Sequence, residues 1–148
     1  MSSHQRILFL CIQNSARSQI AEGMARHFLG HQADVSSAGS DPAIRIHPMA
    51  VAVMAEIGID ISQQKPKSIT GFKLHEFNLI VNLGTDEEAA EVFENAAPLP
   101  SKVKKQSWGI SDPADFDVSD DLLIKKFRKI RDDIRKKVLT LRAAEEVW

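Results

Sequence analysis

The stretch Ile7-Leu8-Phe9-Leu10-Cys11-Ile12-Gln13-Asn14-Ser15-Ala16-Arg17-Ser18 runs an apolar segment into the chain's only cysteine, with an arginine six residues after it. Residues 6 to 12 have the length and continuous apolar character of a strand buried on both faces of a parallel sheet. Ile20, Ala21, Met24, Ala25 and Phe28 then recur at helical spacing and Gly30 ends the run, which predicts a helix over 17 to 29. Between them lies a short polar loop. Backbone N–H groups of such a loop can curl inward at a helix N-terminus and form a nest for an anion. Arg17 adds a planar two-pronged donor, and the same positive field favours thiolate over thiol at Cys11. Ser18 can donate a hydrogen bond to the Cys11 sulfur, and Asn14 and Ser15 suit the unusual dihedrals of a tight loop.

Outward from this loop the pattern repeats. Asp34 to Gly39 reads as a second strand, and His47-Pro48 opens a helix whose apolar stripe of Ala50, Val51, Val53, Met54 and Ile57 is closed by Gly58. A polar connection containing Lys65-Pro66-Lys67 is expected to be a solvated loop, and Ser68 is expected to cap a short helix ending near Leu74. Phe77 to Leu83 is the third strand, Asp86 to Phe93 an acidic helix, and Val103 to Ser107 a weak fourth strand. Pro98 and Pro100 interrupt the chain between these last two. The final helix is predicted from Ser119 to Leu141, with Leu122, Leu123, Phe127, Ile130, Ile134, Val138 and Leu141 on its apolar face and a row of lysines and arginines on the solvated one. Alternation of strands and helices with short connections implies a four-stranded parallel sheet with helices on both faces, an α/β fold in which ligands bind beyond the C-terminal ends of the strands. Cys11 stands at such an end.

Composition narrows the function classes. A chain of 148 residues fits one domain spanning 1–148, and a net charge of −1 lacks the basic field of a nucleic-acid binder. One cysteine excludes an internal disulfide framework and a cysteine-rich metal centre, so no resident metal is expected and any disulfide must be made with another molecule. The N-terminal apolar run is far too short for a signal sequence or a membrane span, which points to a cytoplasmic protein without membrane attachment. His47 and His75 have no spaced partners and read as surface or cap residues, and Trp108 as packing.

Cys11-x5-Arg17-Ser18 after a hydrophobic first strand, with Asp112-Pro113 in a loop before the last helix, resembles the low-molecular-weight protein tyrosine phosphatase superfamily, whose architecture is flavodoxin-like. Asn14 to Gly23 is similar to the arsenate reductase branch, as are Ser37-Ala38-Gly39-Ser40, His47-Pro48-Met49-Ala50, Glu56 to Ser62 and Trp108 to Ala114. The resemblance implies Cys11 as nucleophile, the loop Ile12, Gln13, Asn14, Ser15, Ala16 and Arg17 with Ser18 as the oxyanion cradle, and Asp112 as general acid for the departing oxygen. It also exposes departures. Relay-type arsenate reductases carry two further cysteines, but here Leu83 stands at the first matching position and no later cysteine exists. The implied mechanism is therefore the single-cysteine one. Cys11 forms an arseno-adduct, an external low-molecular-weight thiol of the glutathione or mycothiol type attacks it, and a glutaredoxin-like protein completes reduction to arsenite. The alternatives are a phosphatase working through a phosphocysteine at Cys11 and a non-enzymatic oxyanion-binding regulator. Against the phosphatase, Ala114 and Asp115 after Pro113 offer a small, acidic rim with no stacking platform for a phenyl ring, and Gln13 replaces a glycine usual in phosphatases.

Overall fold

β1 (Gln5–Cys11) lies at the heart of the molecule because its side chains alternate between two apolar layers. Ile7, Phe9 and Cys11 face one cluster, and Leu8 and Leu10 the other. The computed structural model describes residues 5–93, 99–113 and 118–143. Within these, β1 pairs in parallel with β2 (Ala33–Gly39) on one side and β3 (Leu79–Asn82) on the other, and β4 (Lys104–Ser107) extends the sheet beyond β3. The strand order is β2-β1-β3-β4, all parallel. The two buried strands are central, and the edge strand β4 carries exposed Lys104 and Lys105, a common guard against edge-to-edge pairing.

Helices α1 (Arg17–Leu29), α2 (Pro48–Ala55) and α4 (Asp120–Ala143) cover the Phe9 face. The Leu8 face is closed by α3 (Asp86–Phe93) through Val92, by the irregular segment before β3 that brings in Ile69 and Phe77, and by Val103 just before β4. This is the expected single α/β domain with a four-stranded parallel sheet covered on both sides, though the covering is unequal. The expected short helix after Ser68 is instead two separate single turns, Ile69–Gly71 and Leu74–Glu76, with Ser68 capping the first through Thr70 N at 3.2 Å. The third strand is shorter than read, because Phe77 turns into the Leu8-side core before β3 begins. On α4, Phe127, Ile130, Ile134, Val138 and Leu141 are buried as the periodicity predicts, whereas Leu122 is 51% exposed in the first turn. Two helix ends depend on a glycine at positive φ. α1 ends at Gly30 at φ 59°, and Gly58 at φ 78° lets Ile59 N–H return to Met54 O after α2. Midway along α1, Gly23 has no room for a Cβ, which would stand 2.4 Å from Ile61 Cγ2.

Candidate active site

A peptide plane directs its C=O and the next N–H to opposite sides. In the loop after β1 the carbonyls of Ile12, Gln13 and Ser15 turn outward and accept hydrogen bonds from Asp41 N–H, Ala43 N–H and His47 N–H at 2.8, 2.9 and 2.8 Å. The N–H groups of Gln13, Asn14 and Ala16 therefore face the inside of the loop. The loop closes at Ala16, which caps α1 without a side-chain hydrogen bond, so the first N–H groups of α1 add to the same concavity. A cavity of about 150 Å³ results, lined by Cys11, Ile12, Gln13, Ser15, Ala16, Arg17 and Asp112. Seven of the residues singled out by the motif thus share one small anion-sized hollow. Asn14 and Ser18 lie behind it, both fully buried.

The Cys11 sulfur is at the base of the hollow, with the residue only 3% exposed. Ser18 Oγ lies 2.8 Å from it, and Asn14 Nδ2 donates to Ser18 Oγ at 2.7 Å. Since Ser18 Oγ accepts from Asn14, its single proton is left for the sulfur. Asn14 is the one non-glycine residue at positive φ (51°) among the described residues, and its side-chain oxygen accepts from Gln19 Nε2 at 3.0 Å and Lys67 N–H at 2.8 Å. That second contact revises the expected solvated loop around Lys65-Pro66-Lys67. Lys67 O takes the Gly39 N–H at 2.8 Å, Lys65 O takes Gln19 Nε2 at 2.9 Å, and Lys67 Nζ reaches the buried Glu22 carboxylate at 3.3 Å. Glu22 sits on the inner face of α1 and is also held by Ser37 Oγ at 2.6 Å and Arg26 at 2.9 Å, so the segment is drawn in to satisfy a buried charge.

Arg17 is 4% exposed, and its terminal edge is committed to protein. Nη1 donates to Glu88 Oε1 at 2.9 Å and to Ile110 O at 2.7 Å, and Nη2 donates to Glu88 Oε2 at 2.7 Å. A guanidinium has five N–H donors. The side-on pair, Nε and the remaining Nη2 proton, has no hydrogen-bond partner among the described residues, and that pair matches two oxygens of a tetrahedral anion. Burial works against the Arg17 charge, but the Glu88 hydrogen bond and the negative fields of Cys11, Glu88 and Asp112 outweigh it and hold the guanidinium above its ordinary pKa. Glu88 is in turn held below the usual carboxylate range, chiefly by Arg17 and against its own partial burial.

Glu88 is the site residue that the sequence reading missed. Its local signature was present: Thr85-x-x-Glu88 is a capping box at the start of α3, with Thr85 N–H donating to Glu88 Oε1 at 3.1 Å and Glu88 N–H to Thr85 Oγ1 at 3.3 Å. Gly84 leaves the space, since a Cβ there would stand 2.6 Å from Glu88 Oε1 and 3.0 Å from Arg17 Nη1.

Asp112 Oδ2 stands 4.0 Å from Arg17 Nη2, with its side chain 36% exposed at the mouth of the hollow. His47 caps α2 through Met49 N–H (3.1 Å to Nδ1) and stacks on Phe127 at 4.8 Å between ring centres. Burial depresses its pKa, with Asp112 pulling the other way and Arg45 reinforcing burial. The Ala114-Asp115 rim falls outside the described residues. Among the described residues no group of three or more histidine, cysteine or carboxylate side chains could hold a metal, and no helix is long and apolar enough to cross a membrane.

Comparison with known proteins agrees with this arrangement. Residues 6–147 match the family model of low molecular weight phosphotyrosine protein phosphatase. An arsenate reductase of Halalkalibacterium halodurans is 41% identical over 134 residues, covering 90% of this chain and 92% of that protein. A solved structure described as an arsenate reductase in the phosphate binding state superposes with a TM-score of 0.74 at 29% identity, over 94% of this chain and 97% of the other. A tyrosine phosphatase of Erwinia amylovora superposes as well, at TM-score 0.76 over 96% of this chain and 93% of its own, but at 16% identity it speaks for the fold alone. A cysteine and an arginine six residues apart around an inward-facing loop, on this sheet and along this whole length, make the chain a member of the low molecular weight phosphotyrosine protein phosphatase family, similar in particular to members named arsenate reductase.

Proposed function

We propose that this protein reduces arsenate with the help of an external thiol. The observation that carries the reading is the 41% identity to an arsenate reductase along nearly all of both chains, met in a chain with one cysteine. Arsenate fills the hollow with two oxygens on the side-on edge of Arg17 and the others on the inward N–H groups. The Cys11 thiolate attacks arsenic, hydroxide departs, and Asp112 gives it a proton so that it leaves as water. The product is a Cys11 sulfur–arsenic(V) adduct.

The burial of Cys11 indicates how the adduct is resolved. Attack on the Cys11 sulfur would have to come from behind, opposite arsenic, where Ser18 and the core already pack. Attack on arsenic comes from the open mouth. A thiolate of the glutathione or mycothiol type therefore bonds to arsenic, the Cys11 sulfur–arsenic bond breaks, and Cys11 leaves as thiolate with the electron pair. Nothing is oxidised in that step. A glutaredoxin-like protein then attacks the small thiol's sulfur, a sulfur–sulfur bond forms, and arsenic departs with the bonding pair as arsenite. A reducing cytoplasm is the setting this cycle suits.

The test is arsenite formation from arsenate with a low-molecular-weight thiol and glutaredoxin, in wild type and Cys11→Ser. Thiol-dependent arsenite that vanishes in Cys11→Ser is the expected result. Hydrolysis of p-nitrophenyl phosphate without thiol, and no arsenite with any thiol, would favour the phosphatase. Thermal stabilisation by phosphate or arsenate with neither turned over would favour a binding protein.

A further inference from the structure

A second cavity opens beside the first. It has a volume of about 320 Å³ and shares Asp112 as a wall with the Cys11 hollow. Its floor is Ile110 and Ile130, and its far side is the α4 face that presents Lys126, Lys129 and Asp133. These positions follow helical spacing, so all three point the same way. Lys129 Nζ is paired with Asp133 Oδ2 at 3.0 Å in an exposed contact and Lys126 is likewise engaged, but an ammonium keeps further donors beyond one such pair. α4 is also where the cations of this nearly neutral chain concentrate.

A molecule whose sulfur reaches arsenic above Cys11 must leave its remaining atoms on one side of Asp112. The second cavity is the adjoining space of the right size for a short polar arm. We infer that this cavity is the thiol subsite, that Lys126 and Lys129 bind a carboxylate carried by the thiol, and that the second substrate is a carboxylate-bearing low-molecular-weight thiol. This rests on the arsenate reductase reading above and adds the chemical class of its reductant. The apolar floor takes the thiol's methylene chain, and the two lysines fix the register at which its sulfur meets arsenic. Because the lysines are solvent-accessible, the preference weakens as salt rises.

The experiment measures arsenite formation with excess thiol, a second molecule of which can serve the last step. Glutathione and 3-mercaptopropionate are compared with uncharged 2-mercaptoethanol and cationic cysteamine. Each thiol is read as the ratio of its apparent KM in Lys126→Gln/Lys129→Gln to that in wild type, so that intrinsic reactivity cancels. The carboxylated thiols should lose about fivefold or more in the double variant relative to 2-mercaptoethanol, in line with two exposed charge contacts. Lys126→Glu/Lys129→Glu should shift preference toward cysteamine. The arsenate KM and a thermal melt report whether each variant keeps the fold. With no variant at all, the wild-type preference for 3-mercaptopropionate over 2-mercaptoethanol should shrink between low and high salt. Equal KM ratios for all thiols, or a salt-independent preference, overturn the subsite while arsenate reduction stands. Absence of arsenite with every thiol, and with glutathione plus glutaredoxin, overturns the reductase reading, and the subsite with it.

Discussion

Replacing Glu88 by Gln tests whether Arg17 is held ready for its ligand by α3. The substitution keeps the shape of the side chain and removes its charge. Gln offers one acceptor where the carboxylate offers two, so one of the 2.9 and 2.7 Å contacts to Arg17 is lost and an amide N–H is turned toward a guanidinium N–H. A hydrogen bond to a charged group is worth about 1.5–3 kcal/mol, and Glu88 is only 22% exposed while Arg17 is 4% exposed. The expected loss is therefore about 2 kcal/mol, which for a chain of this size lowers Tm by about 4–8 °C. Released from its end-on partner, Arg17 can swing, and a misplacement near 1 Å costs about 10²-fold in turnover. The expected outcome is a fall in kcat/KM for arsenate of that order, with a parallel weakening of inhibition by phosphate. Thr85→Ala is the control. It removes the reciprocal helix cap, worth about 1 kcal/mol, and leaves the Arg17 pair in place. The pH dependence gives an independent check. The folded carboxyl of Glu88 lies below its unfolded value, so its contribution is fully present above that unfolded value, about 4.3, and is lost as pH falls through the folded one. The stability gap between wild type and Glu88→Gln should close over the same acid range. A Glu88→Gln protein that melts with wild type and binds phosphate as tightly would refute the reasoning.

Gly39→Ala should disturb the anion loop directly, since its Cβ would stand 2.4 Å from Ile12 O and 3.0 Å from Asn14 N; a stability loss of about 1–3 kcal/mol in urea titration, with loss of the thermal shift given by phosphate, is expected. Protonation of His47 should break its cap on Met49 N–H. Its folded pKa is depressed, so stability is full above the unfolded value of about 6.5 and declines as pH falls toward the folded one. His47→Asn supplies a cap without titration, and its melts from pH 7 to 5 should lack that decline. Ser18→Ala removes the hydroxyl 2.8 Å from the Cys11 sulfur and strands Asn14 Nδ2; slower alkylation of Cys11 by iodoacetamide at pH 7, with a drop in arsenate turnover, is the expected outcome.

What the sequence disclosed and what it withheld differ by range. The strand, the loop and α1 were legible because their signals are local: a continuous apolar run, a cysteine and arginine at fixed spacing, and a helical period closed by Gly30. Even the Ser18 contact to the Cys11 sulfur could be anticipated, seven positions away along the same turn. The parts that shape the hollow from outside come from 29 to 93 residues away: the 41–47 segment that turns the loop carbonyls outward, the 65–68 segment that fixes Asn14, and Glu88 and Ile110 on Arg17. No periodicity in those segments announces them, because their task is set by the register of the sheet. Cys11 pairs with Gly39, and Leu10 with Asn82, so the chain leaving β2 and the chain leaving β3 both arrive beside the loop. At each arrival stands a glycine, Gly39 against Ile12 O and Gly84 against Glu88 and Arg17, neither at positive φ. A glycine in a turn usually speaks of backbone conformation. Here each is present for lack of a side chain. What it makes room for is on another strand, and only the strand order says which.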